Sequence, residues 1–137
     1  MTHEELVDAV RDQATLDEAR AERALEASLE SFGERLSAGA ADELAAQLPE
    51  RDAAALLRRA GGQAAAGGTV DLAQRVAERA GVSMPDAANL VQATLRAITR
   101  AVDRERIDRI RAQLPAELSR LLQRADEGDT SQLRTGA

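Results

Sequence analysis

The sequence predicts an all-α bundle of about eight short helices, built from two copies of one four-helix unit. The chain repeats itself at an offset of 66 residues, so that 3–60 lie over 69–126 without a gap. Ala46-Gln47-Leu48-Pro49 returns as Ala112-Gln113-Leu114-Pro115, and Leu6/Leu72, Val10/Val76, Ala14/Ala80, Ala21/Ala87, Leu29/Leu95, Asp42/Asp108 and Leu56/Leu122 are identical pairs. Composition agrees. The chain is 44% hydrophobic and half of that is alanine; Leu supplies 17 more residues and Phe32 is the only aromatic. Ala and Leu are strong helix formers, and the β-branched and aromatic residues that strands prefer are scarce. Finally, apolar residues recur at spacings of three and four behind Ser, Thr or Asp start signals.

The first helix is expected over residues 3–14. Thr2 and Glu5 have capping-box spacing, and Leu6, Val7 and Val10 share a face. Thr15 and Asp17 open a second helix reaching about Leu36, with Ala21, Leu25, Leu29, Phe32 and Leu36 on one stripe. Ser37 caps a third, bearing Leu44 and Leu48. Pro49 ends it or opens a fourth carrying Leu56 and Leu57, because the residue before proline avoids the α region.

Residues 61–68, with paired glycines at each end, read as a linker. Thr69 is the expected cap of a fifth helix marked by Leu72 and Val76. Ser83-Met84-Pro85-Asp86 opens a sixth, with proline in its first turn, where a missing N–H costs nothing. Its stripe (Ala87, Val91, Leu95, Ile98, Val102) follows that of the second helix. Asp103 caps a seventh with Ile107, Ile110 and Leu114, and an eighth carries Leu118, Leu121 and Leu122. One domain, 3–125, is therefore expected (copy one 3–60, copy two 69–125), with 126–137 as a flexible tail. Neither copy can bury its Ala-rich stripe alone, so the two should face each other across a common core.

Composition also excludes functions. The chain has no cysteine, which removes disulfides, thiol nucleophiles and thiolate metal sites. No apolar run approaches the roughly 20 residues that span a bilayer. Acids follow the first methionine where a signal peptide needs basic residues, so a cytoplasmic protein without membrane association is expected. All 18 cations are arginine. Residues 1–60 hold 14 acids against 7 arginines, and 61–137 hold 10 against 11. The acidic first half disfavours non-specific nucleic-acid binding.

No reaction is legible, and neither a cofactor nor a metal is expected. His3 is the sole histidine and reads as a surface group near a chain end, so a Ser–His–Asp site or a histidine metal site would have to be built on it. The glycine pairs lack the lysine and preceding strand of a phosphate loop. Asp126, Glu127 and Asp129 lack the spacing of a calcium loop.

The pointed features are two charge patterns. Glu18, Glu22, Glu26, Glu30 and Glu34 recur every four residues, and the matching positions of the second copy are Met84, Ala88, Gln92, Arg96 and Arg100. Four like-charge i,i+4 contacts should cost the second helix about 1–2 kcal/mol. The plain reading is a solubilising face; the sharper one is that these glutamates, with Arg96, Arg100 and Arg104, bind a charged partner or meet between subunits. The arginine-rich segment 96–111 carries six arginines and three acids, a net +3. Without aromatics or a longer uncompensated run, it reads as a salt-bridged surface before a nucleic-acid site.

The order of helices, with Glu34-Arg35-Leu36, Asp42-Glu43-Leu44-Ala45-Ala46-Gln47-Leu48-Pro49 and Ala112-Gln113-Leu114-Pro115, resembles the prokaryotic family catalogued as domain of unknown function 2267, over roughly residues 3–125. The resemblance implies a small helical protein with a globin-like helix arrangement. It brings no established enzyme activity and no catalytic residue. A globin-like fold here would have no internal histidine for haem. Ser37-Ala38-Gly39-Ala40 departs from the more acidic family pattern and leaves open how regular the first turn of the third helix is. The expected function is a non-enzymatic interaction or regulatory protein with a protein partner or self-association. The alternatives are a nucleic-acid-associated regulator using 96–111, and a small-molecule-binding protein or enzyme with a pocket between the copies.

Overall fold

The computed structural model describes residues 1–14, 16–60 and 68–127, and its regular elements there are eight α-helices. They are α1 His3–Ala14, α2 Glu18–Gly33, α3 Ala38–Ala45, α4 Glu50–Leu57, α5 Thr69–Ala80, α6 Met84–Ala101, α7 Arg104–Ala112 and α8 Ala116–Glu127. The starts of α5 to α8 fall 66 residues after those of α1 to α4. Packing follows the same exchange: α1 lies on α6 as α5 lies on α2, α2 on α4 as α6 on α8, and α3 on α4 as α7 on α8.

The start signals act as the side-chain chemistry requires. Thr2 Oγ1 accepts from the Glu5 amide at 3.2 Å while a Glu5 carboxylate oxygen accepts from the Thr2 amide at 3.1 Å, closing the capping box. Asp17, Ser37, Ser83 and Asp103 each accept from the amide three residues on, at 2.8, 3.2, 3.3 and 3.0 Å. Such a cap stabilises a helix by about 1 kcal/mol. The accepted amide holds Asp103 below the ordinary carboxylate range, reinforced by the Arg106 guanidinium. With Ser37 in place, α3 starts regularly at Ala38.

Three boundaries differ from expectation. The second helix stops at Gly33, not near Leu36, and tightens into i,i−3 hydrogen bonds from Arg35 to Phe32 and from Leu36 to Gly33. Beside this stop the α4 backbone at Leu56 comes so close that a methyl at Gly33 would run into the Leu56 carbonyl. The cap of α5 is Gly68, with Thr69 as first helical residue. There the Glu117 carboxylate of α8 accepts from the Thr69 amide at 2.8 Å, which lowers its pKa. The last helix runs through Asp126 and Glu127, which were expected in the tail. Residues 61–67 of the expected linker, Thr15 and the tail from 128 on lie outside the described residues.

One apolar cluster draws on all eight helices. The second-helix stripe (Leu25, Leu29, Phe32) and its counterpart (Val91, Leu95, Ile98) are buried in it, together with Leu6, Val10, Leu72 and Val76. Each such side chain contributes about 1.5–3 kcal/mol of transfer free energy. At the end of α5, Gly81 adopts the left-handed conformation at φ 70°, and the Gly81 and Val82 amides both donate to the Ala77 carbonyl, a glycine-dependent helix stop.

Candidate functional site

The glutamate stripe of α2 is only partly solvated. It runs under α4 and α5: Glu18 is exposed, Glu22, Glu26 and Glu34 are half-buried, and Glu30 is buried. From Glu22 onward the acids are answered by arginines of α4, of the residues just after it, and of α5. Glu22 lies 3.5 Å from Arg51, Glu26 bonds Arg58 at 2.9 Å, and Glu30 bonds Arg58 at 2.8 Å and Arg59 at 3.1 Å. Glu34 bonds Arg79 at 3.2 Å with Arg75 at 3.7 Å. The repulsion expected of an isolated helix is therefore offset by cations that sequence spacing on α2 could not reveal. Burial would raise the Glu34 pKa, but the Arg79 hydrogen bond and the charges of Arg79, Arg75 and Arg35 outweigh it and hold the carboxyl low. A groove of about 320 Å³ follows this seam, lined by Glu22, Glu26, Glu30, Arg23, Arg51 and Arg79 among others.

Two residues central to this seam escaped the sequence reading. Arg35 is buried, donating to the Ser31 carbonyl at 2.8 Å and pairing with Asp71 of α5. Desolvation lowers its pKa, and the charges of Asp71 and Glu34 oppose that. Asp52 of α4 is buried too. It faces His3, whose Nδ1 lies 3.0 and 3.1 Å from the two carboxylate oxygens. His3 Nε2 is 3.5 Å from Glu22. The lone histidine is thus a half-buried strut tying α1 to α4 and α2, not a free surface group. Only the 49-residue separation of His3 and Asp52 hid the pair.

The second half treats the equivalent positions differently. Arg96 and Arg100 take the places of Glu30 and Glu34 but form no ion pair or hydrogen bond through their guanidinium groups among the described residues. They stand one turn apart in a groove of about 250 Å³ between α1 and α6, lined by Met1, Ala9, Asp12, Ala93 and Ala97 as well. On α5 it is Arg75 and Arg79 that reach Glu34; the matching α1 positions hold Ala9 and Gln13. Two unanswered guanidinium groups at that spacing can take a pair of carboxylates or another bidentate anion.

Arg104, expected beside them, is engaged with Asp126 at 2.8 Å. Further along, Arg106 pairs with Asp103, Arg109 with Glu43 at 2.5 Å and Glu105 at 3.2 Å, and Arg111 with Asp108 at 3.5 Å. Glu43 raises the Arg109 pKa through their hydrogen bond. Arg96 and Arg100 remain the uncompensated part of segment 96–111.

Comparison with known families fits this architecture. The family described as "Uncharacterized conserved protein (DUF2267)" matches residues 3–121, nearly all of the helical chain. The chain belongs to the DUF2267 family. No curated protein matches it. For this DUF2267 member no group of three or more His, Asp or Glu side chains among the described residues is placed to hold a metal ion. No described helix is long and apolar enough to cross a membrane.

Proposed function

We propose that the chain is a non-enzymatic helical interaction or regulatory protein that binds an acidic protein surface through the α1–α6 groove. Its scaffold is one four-helix unit doubled in sequence. The carrying observation is the fate of charge at equivalent positions: Glu30 and Glu34 are answered within the chain, whereas Arg96 and Arg100 stand open in a groove. Charged groups that stabilise the fold are expected to be paired where they are buried; charged groups kept for a partner are expected to wait at the surface with their complement missing. A binding role is further supported by the use of the other polar groups. His3 and Asp52 brace α1 against α4, and the α2 carboxylates hold α4 and α5.

The test is a pull-down from the native host with the wild-type chain and with R96E/R100E, followed by cross-link mapping. The reading predicts a partner cross-linked to α1 or α6 that the variant loses. A partner captured equally by both, or cross-linked elsewhere, contradicts it. The nucleic-acid reading of 96–111 is less well supported, because Arg104, Arg106, Arg109 and Arg111 already have acids. It predicts a mobility shift at low salt that disappears as salt rises.

A further inference from the structure

The first half of the chain displays what an answer to Arg96 and Arg100 would look like. Around Glu34, the complement is a pair of opposite charges four residues apart, Arg75 and Arg79, on a helix lying against α2. The inverse complement for the α6 arginines is a pair of carboxylates four residues apart on a helix. The chain owns such a pair beside the groove. Asp8 and Asp12 are exposed and share a stripe of α1, and Asp12 itself lines the groove. Asp8 has only a surface contact with Arg11 at 3.2 Å, and Asp12 forms no ion pair with Arg96 or Arg100 of its own chain.

We propose that the α1–α6 face is an isologous interface between two copies of this chain, in which Arg96 and Arg100 of one copy receive Asp8 and Asp12 of the other. This rests on the reading of the groove as a protein-binding site and names its occupant. A face carrying both members of a complementary charge set side by side is self-complementary under a twofold axis, so one docking event satisfies both sets. An acidic helix from another protein would satisfy only the arginines, leaving Asp12 unmatched and Asp8 with only its surface contact to Arg11. Each exposed ion pair is weak on its own, but a network repeated by symmetry, closed over a groove that loses its water, adds up.

The experiment is sedimentation velocity with the full chain over a range of concentrations at low and high ionic strength. Wild type is expected to reach twice the 14.6 kDa chain mass, less readily at high salt. R96E/R100E and D8R/D12R, each checked for an unchanged urea midpoint, are expected to dimerise at least about tenfold more weakly. Mixed in equal amounts they should recover the dimer, because opposite signs then meet at both charge sets. A wild type that stays monomeric throughout, a charge-reversed variant that dimerises like wild type, or a mixture that recovers nothing overturns the proposal. A monomeric wild type whose host partner is still lost in R96E/R100E overturns only the second copy as occupant. Capture unaffected by R96E/R100E overturns the groove as a binding site as well.

Discussion

Arg35 and Asp71 form a salt bridge across the seam between α2 and α5 in which the two partners are unequally buried: the arginine side chain is 1% exposed and the aspartate 35%. The inequality sets the order of their mutational effects. Removing the carboxylate leaves a guanidinium buried with Glu34, 3.8 Å away, as its remaining counter-charge. Removing the guanidinium leaves a carboxylate that water can reach. D71N is therefore expected to cost about 2–3 kcal/mol, below the range for a fully buried pair because of that partial solvation, and R35M about 1–2 kcal/mol. Urea denaturation of both variants checks the order; R35M costing more than D71N contradicts it.

Acid should weaken the same seam. The Glu34 carboxyl is held below its ordinary value of 4.5 in the folded chain by Arg79, Arg75 and Arg35. The unfolded chain then binds the proton more readily, so stability rises with pH through this window. The contribution of Glu34 is complete above pH 4.5 and is lost as pH falls through the lowered folded-state value. An unfolding series through that range should show E34Q with a shallower loss than wild type; parallel curves would contradict the assignment.

The two glycines at Gly33 and Gly39 should respond oppositely to alanine. At Gly33 a methyl meets the Leu56 backbone carbonyl, which can yield only if α2 and α4 separate. G33A should cost about 1–3 kcal/mol even though alanine is the better helix former. At Gly39, in the first turn of α3, a methyl meets open space. G39A should add about 0.5–1 kcal/mol. Thermal or urea midpoints of the two variants moving in the same direction would contradict the close approach of Leu56 to Gly33.

The elements were legible in the sequence because their causes are local. Thr2 with Glu5, and Ser37, Ser83 and Asp103 each three residues before the amide they cap, announce helix starts within one turn of chain. Leu25, Leu29 and Phe32 announce a buried stripe by spacing alone. The destinations of charge were not legible. Glu18 and Glu30 look alike in sequence, yet one is exposed and the other is buried between Arg58 and Arg59, which are 28 and 29 residues away. His3 and Asp52 meet only once α1 and α4 have packed. The close approach of the α4 backbone to Gly33 is likewise set by tertiary packing and not by local sequence. Arg96 and Arg100 stand at the positions of Glu30 and Glu34, but that these glutamates meet cations while the two arginines meet no acid among the described residues depends on helices far apart in sequence.

The most direct measurement compares the free energy of unfolding of E30Q/E34Q with that of R96Q/R100Q, substitutions at equivalent positions of the two halves. Glutamates that hold the fold together should cost about 1–3 kcal/mol when neutralised. Arginines kept for a partner should change stability by no more than about 0.5 kcal/mol in the isolated monomer, below the concentrations at which copies associate. Equal losses in the two variants would make Arg96 and Arg100 structural and contradict the division of charge between folding and binding.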